Sequence, residues 1–191
     1  MPSRGRMIDV FIWPSLSWHS LKCLLTLLLQ EQPLLPMLDV FSVGWVEIRP
    51  SRHGSRNAVE DDPWLSIIQL NTQELTANKI SIIEQLTYKN KAFIIVLQET
   101  YCTTADKLLI PNFSLAGSVL SRKHGLATFV HRCLEWSLVD QSPEQSETEW
   151  LCVDIKGYKI INVYTPPCSR FRPTAIPMFP HRSLYVGDFN C

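Results

Sequence analysis

A set of polar residues in this chain stands at the ends of short apolar runs. Asn71 follows the run closing in Leu70, Glu99 follows "FIIVLQ", Tyr164 closes "KIINVY", and Asp188 and Asn190 follow "LYVG". Carboxylates, amides and a phenol held at strand ends would make a ligand-binding or catalytic group. Rigid strands fix such residues while their side chains emerge from the core, and α/β sheets gather ligand groups at the carboxyl ends of their strands. Taken singly, each has a plainer reading: Glu99 as a solvated loop charge, Asp188 and Asn190 as turn chemistry. The combination carries the functional reading.

The elements that must position them are legible from periodicity. "WLSIIQL" (64–70) reads as a buried strand, "TANKISIIEQLTYKN" (76–90) places Ile80, Ile83 and Leu86, with Ile82 beside them, at helical spacing, and "AFIIVL" (92–97) is a second buried strand. Strand, helix and strand predict two parallel strands under a crossover helix. Thereafter "FSLAGSV" (113–119), "LATFVH" (126–131) and "LEWSLVD" (134–140) read as short strands, and "WLCVDIKGYKIINVY" (150–164) as a hairpin turning at Lys156 and Gly157, together a β-meander. "SLYVGD" (183–188) is one further strand. Residues 1–62, broken by Pro14, Pro33, Pro36 and Pro50 and ending in the polar stretch 49–63, read as a poorly specified leader expected to pack weakly, with the domain running over 64–191.

A chain of 191 residues, 46% hydrophobic and 19% charged, suits one globular domain. Lys and Arg together balance Asp and Glu at 18 each, so whole-chain charge points to no nucleic-acid or membrane partner. The six cysteines (23, 102, 133, 152, 168 and 191) form no C-x-x-C pair and are read as reduced thiols of a nuclear or cytoplasmic, not secreted, protein. The most hydrophobic stretch, "CLLTLLL" (23–29), falls far short of the roughly 20 residues that span a bilayer. It also lacks a small-residue cleavage site after it. The expected partners exclude a membrane, and oligomeric state is left open.

In order along the chain, "QLN" (69–71), "LQET" (97–100), "HGLATFV" (124–130), "NVYTPP" (162–167) and "GDFN" (187–190) resemble the endonuclease/exonuclease/phosphatase family. More narrowly they are similar to the apurinic-type endonuclease domain of jockey-like non-LTR retrotransposons. The resemblance covers 64–191 and implies a DNase I-like two-sheet α/β sandwich that hydrolyses DNA phosphodiesters with Mg²⁺, or with Mn²⁺ in its place. By the same resemblance Glu99 is the metal-binding glutamate and Asn71 supports the metal and phosphate site. Tyr164 contacts the scissile phosphate, Asp188 positions or deprotonates the attacking water, and Asn190 orients the phosphate. A hard cation suits such oxygen donors, because one carboxylate can hold it while the substrate phosphate supplies further oxygens.

The family pattern continues beyond "GDFN" to a histidine paired with an aspartate. The reading here is therefore of a truncated sandwich, with the first sheet and its helix largely present and the second half missing. It is expected to be inactive alone and poorly stable, with the apolar face of one sheet uncovered and "YKIINVY" as an unpaired edge. Of the five histidines, His19 and His53 lie in the leader, His131 and His181 outside the matched motifs, and His124 where the family often has glycine, so none is taken as a substitute. The proline-rich segment 168–183 should be an extended loop, its Arg170, Arg172 and Arg182 read first as a solvated basic edge. Gln73 departs from a charged position of abasic-site relatives and leaves lesion preference open. The alternatives are a non-catalytic remnant serving as an interaction module, and a phosphoesterase of the same fold acting on lipid or inositol phosphates.

Overall fold

The computed structural model describes residues 10–12, 42–48, 65–143, 146–167, 169, 172–179 and 182–189. The strands are β1 (Val10–Ile12), β2 (Ser42–Ile48), β3 (Leu65–Asn71), β4 (Ile94–Gln98), β5 (Phe113–Val119), β6 (Leu126–His131), β7 (Trp136–Gln141), β8 (Glu149–Ile155), β9 (Tyr158–Tyr164) and β10 (Ser183–Asp188). The α-helix α1 (Ala77–Asn90) joins β3 to β4, and those two strands pair in parallel with Ile67 opposite Ile94, as the periodicity predicts. Helix α1 starts where Thr76, with extended backbone, accepts the Lys79 N–H at 3.4 Å, and stops at Lys91, whose φ of 50° is left-handed. Its Ile83 is fully buried against the sheet face carrying Ile68, Leu70, Ile95 and Leu97.

The strands form a mixed α/β structure of two sheets, in the orders β1-β2-β3-β4-β6-β5 and β10-β9-β8-β7. Several expectations are thereby corrected. The sheet extends into the expected leader: β2 pairs antiparallel with β3 over its whole length, and Val46 and Ile48 join the core of Leu65 and Ile67. The short β-branched run "SVGWVEI" supplies that strand, although the prolines around it read as a linker. The expected meander is divided, since the chain leaves the first sheet after β6 and begins the second at β7. Alternation reports which faces of a strand are buried and is silent on which sheet it joins. The second sheet, expected to be missing, is present with four strands, and "YKIINVY" is an interior strand flanked by β8 and β10 rather than an edge. Its turn at Lys156 and Gly157 falls where predicted, with positive φ at both residues as a two-residue hairpin requires.

Nor is the apolar face of the first sheet uncovered. Ile67, Val96, Val130 and Ala116 from the first sheet share one core with Leu151, Val153, Ile155 and Ile160 from the second. The outer face of the second sheet is closed by the crossover between the parallel strands β9 and β10. The described residues of this crossover hold a short 3-10 turn, Pro173–Ala175, and no α-helix, in line with its prolines. Ile176 and Phe179 from it cover Trp150, Cys152, Ile161 and Val163. The Tyr185 hydroxyl fastens it, donating to the Pro177 carbonyl at 2.9 Å and accepting from the Phe179 N–H at 3.1 Å.

Because side chains alternate along a strand, Ile67, Gln69 and Asn71 of β3 face the second sheet, and Ile160, Asn162 and Tyr164 of β9 face the first. The inter-sheet seam is therefore apolar in its middle and becomes polar toward one end. There Gln69 donates to the Gln98 side chain, and Gln98 donates to the Asn162 carbonyl oxygen at 2.7 Å. The Asn162 amide nitrogen reaches back across the seam to the Leu97 and Ala127 carbonyls at 3.0 and 3.2 Å. Gln98 and Asn162 are completely buried. These amides form a floor one residue pair below the strand ends.

Gly187 sets how closely β10 lies on β9, because a Cβ there would overlap the Val163 carbonyl. Gly187→Ala should push the end of β10 outward and cost about 1–3 kcal/mol, the usual range for overpacking. A urea midpoint that does not move would show that β10 can shift without loss.

Candidate functional site

Two strand ends of each sheet meet above the amide floor. The first sheet contributes Asn71 at the end of β3 and Glu99 just past β4, and the second contributes Tyr164 at the end of β9 and Asp188 at the end of β10. In the parallel pair, Asp188 lies beside Tyr164. The Asn71 amide nitrogen donates to Glu99 Oε1 at 2.8 Å and to Asp188 Oδ2 at 2.9 Å, so one amide bridges two carboxylates. Tyr164 donates its hydroxyl to Glu99 Oε1 at 2.8 Å, and Tyr101 donates to Glu99 Oε2 at 3.1 Å. Both the Asn71–Asp188 and the Tyr164–Glu99 bonds run from one sheet to the other. The four residues that sequence reasoning placed at strand ends are thus brought together, while Asn190 lies outside the described residues, as do Arg170 and His181.

The local backbone is built for this. Past the strands the two chain segments remain zipped: Thr72 N–H donates to the Gln98 carbonyl, Glu74 N–H to that of Glu99, and Leu75 N–H to that of Thr100. The Lys79 ammonium clamps the loop from α1, donating to the Thr72 and Gln73 carbonyls at 2.7 and 2.9 Å. Burial holds that ammonium below its ordinary range, with Glu74 pulling the other way. Glu99 and Tyr101 both adopt left-handed backbone, φ 52° and 51°. For non-glycine residues this costs roughly 1–2 kcal/mol each. Strain of this kind, overcome by surrounding contacts, is concentrated at functional positions. The Asn71 amide oxygen is turned away from the carboxylates and accepts the Gln73 N–H at 3.3 Å. Asn71 therefore presents a donor, not a ligand oxygen, to Glu99 and Asp188.

Electrostatically the site is an acidic pair bridged by a neutral amide. Glu99 is buried at 9% exposure, and its hydrogen-bond donors Asn71, Tyr164 and Tyr101 are all uncharged. Tyr164, at 1% exposure, has its phenol pushed far above the usual range, by burial first and then by the hydrogen bond to Glu99 and its charge, so it serves as a permanent donor. Burial also raises Tyr101, again with Glu99 contributing.

Three residues at this site were not picked out from sequence. Tyr101 is half of a "TY" dipeptide whose only signal was its nearness to Glu99. Glu149, opposite Tyr164 on β8, is 3% exposed and accepts the Gly125 N–H at 2.9 Å. His124, set aside in the sequence, lies with its ring centroid 5.0 Å from that of Tyr164 at an angle of 43°. Burial lowers its imidazole below the ordinary value, against an upward pull from Glu99. The amide floor was missed too, yet its signal was present: Gln69, Gln98 and Asn162 are polar residues inside otherwise apolar strand runs.

Burial raises the Glu149 carboxyl from its ordinary 4.5, with the Gly125 N–H and Ser121 hydroxyl acting in the opposite direction. An acid held above its unfolded value contributes full stability below that value and loses it as pH rises through the folded one. Glu149→Gln keeps an oxygen for Gly125 and should leave the melting midpoint near pH 4 unchanged while raising it at neutral pH. Equal shifts at both pH values would attribute the effect to shape instead of charge.

The donor set fits a small hard cation. Glu99 carries three donors on roughly four lone-pair directions, which leaves an oxygen position for a ligand bond. A buried carboxylate with uncharged partners gains most from a cation. Among the described residues no group of three or more His, Cys, Asp or Glu forms a cage of its own. Mg²⁺ is commonly held in such open sites, by one or two carboxylates with waters and substrate phosphate completing the shell. Among the described residues no helix is long and apolar enough to cross a membrane. Comparison of the chain with protein-family models gave no match, and comparison with curated proteins gave none either.

Proposed function

We propose that this chain is a metal-dependent phosphodiesterase acting on DNA, its two sheets arranged as in the DNase I-like sandwich of the endonuclease/exonuclease/phosphatase family and its motifs of the jockey-like retrotransposon kind. The observation that carries the reading is the convergence of Asn71, Glu99, Tyr164 and Asp188, from four separate strand ends, into one hydrogen-bonded cluster across the inter-sheet seam. These are four of the five residues that the motif resemblance singles out, Asn190 being the fifth.

In this reading Glu99 would hold Mg²⁺, or Mn²⁺, whose charge would stabilise the charge developing on the phosphate. Asn71 keeps the two carboxylates at a fixed separation. Tyr164, always protonated, orients Glu99 and presents an aromatic edge toward the phosphate. Asp188 accepts a proton from the attacking water as its oxygen bonds to phosphorus, and the phosphorus–oxygen bond to the leaving nucleoside breaks in line. The left-handed backbone of Glu99 keeps its carboxylate in place before substrate arrives, so no reorganisation is needed during reaction.

The test is nicking of supercoiled plasmid in Mg²⁺ and in EDTA, paired with thermal unfolding in the same two buffers. The expected result is a melting midpoint raised by Mg²⁺ and nicking that EDTA abolishes. Mg²⁺ stabilisation and DNA binding without nicking would leave metal and nucleic-acid binding standing and overturn the hydrolysis. Neither stabilisation nor nicking would overturn the proposal.

A further inference from the structure

His124 Nδ1 is buried and has no hydrogen-bond partner. Native proteins leave few buried polar atoms unpaired, and such exceptions call for an explanation. The residue is not loosely placed. Its loop is tied on three sides: the Ser121 hydroxyl oxygen accepts the Lys123 and His124 N–H groups at 3.2 and 3.3 Å, Tyr101 N–H donates to the His124 carbonyl at 2.7 Å, and Gly125 N–H donates to buried Glu149 at 2.9 Å. Thr100 N–H adds a bond to the Gly125 carbonyl at 3.1 Å. The same segment that carries Glu99 therefore fixes the His124 backbone, and the imidazole is laid against Tyr164, whose hydroxyl is bonded to Glu99.

We infer that His124 is a substrate-contacting residue whose imidazole turns about its Cβ–Cγ bond, brings the sealed Nδ1 outward and donates its N–H to a phosphate oxygen of a nucleic-acid strand seated on the Asn71–Glu99–Tyr164–Asp188 cluster. The inference rests on the proposed function and deepens it by naming a contact for the phosphate. A neutral ring suits the task, since it donates a hydrogen bond without adding a cation that would compete with a metal for the two carboxylates. The adjacent Arg122 and Lys123 are exposed and give the same loop the charge that a polyanion favours. A donor to a charged acceptor is worth more than one between neutral groups, and its loss should be readable as a clear drop in affinity.

The test uses the whole chain and a fluorescently labelled DNA oligonucleotide, with Ca²⁺ in place of Mg²⁺ so that binding is read without turnover. His124→Phe keeps a ring against Tyr164 and removes the nitrogen, whereas His124→Asn restores an N–H donor near the Nδ1 position. The expected result is binding weakened by about tenfold or more in His124→Phe, a loss of the size a charge-assisted hydrogen bond gives. His124→Asn should stay close to the parent, and both variants should melt like it. His124→Phe binding as tightly as the parent would overturn the contact. So would His124→Asn binding as weakly as His124→Phe, which would assign the effect to ring packing. A parent chain that binds no oligonucleotide would instead overturn the nucleic-acid reading beneath it, and the two failures are thus separable.

Discussion

Glu99→Gln will cut metal-dependent nicking by about 10²- to 10³-fold while making the metal-free protein no less stable. Glutamine keeps an oxygen for the Asn71 and Tyr164 donors, so the hydrogen bonds that now converge on Oε1 can persist. It removes a buried carboxylate whose hydrogen-bond donors Asn71, Tyr164 and Tyr101 are neutral, and burying such a charge is costly. Chemistry and stability are therefore expected to part company: the electrostatic stabilisation of the reacting phosphate is lost, and such terms commonly account for a factor of about 10² to 10³ each. The melting midpoint should rise with Mg²⁺ in the parent, because the cation binds only the folded site, and stay flat in the variant. Nicking by Glu99→Gln at the parent's rate, or an equal Mg²⁺ response, would remove Glu99 from the metal site. Asp188→Asn supplies the contrast. It should retain most of the Mg²⁺ response and lose turnover, since it takes away the proton acceptor.

The second large effect belongs to the floor. Asn162→Ala should destabilise the chain by about 2–4 kcal/mol, because it leaves the buried Gln98 amide without its acceptor, takes a donor from the Leu97 and Ala127 carbonyls and opens a cavity. The loss would be read as a fall in the urea midpoint. Asn162→Leu, with a similar volume, separates the causes: if it recovers little, the cost is unpaired polar groups and not a cavity. A full recovery with leucine would show that the amide network adds nothing beyond filled space.

Much of this was written locally in the chain. The apolar runs of β3 and β4, the helical spacing of Ile80, Ile83 and Leu86, and the Lys156–Gly157 turn are short-range patterns, and each appeared where the pattern put it. The strand-end positions of Asn71, Glu99, Tyr164 and Asp188 followed from the same runs. What could not be read was partnership. Nothing in "LEWSLVD" distinguishes a continuation of the first sheet from the start of the second, and its strand is exposed along its whole length, so no burial pattern ties it to either. The strand Ser42–Ile48 was hidden by flanking prolines, since its place beside β3 is a contact over sequence distance. The surroundings of His124 were hidden for a related reason: Tyr164, against which its ring lies, is forty residues away in the chain and adjacent only once the two sheets meet.

The hydrogen bonds Asn71–Asp188 and Tyr164–Glu99 both span the seam, so neither sheet owns the site. Competence is then a property of docking, and the fraction of molecules able to engage a ligand equals the fraction whose sheets are closed. Apparent affinity falls in proportion to that fraction even when every contact residue is intact. Substitutions far from the cluster that loosen the shared core of Ile67, Val96, Leu151 and Ile160 should thus mimic binding-site defects. A ligand gripping both sheets would, conversely, act as a fastener that holds the sandwich shut.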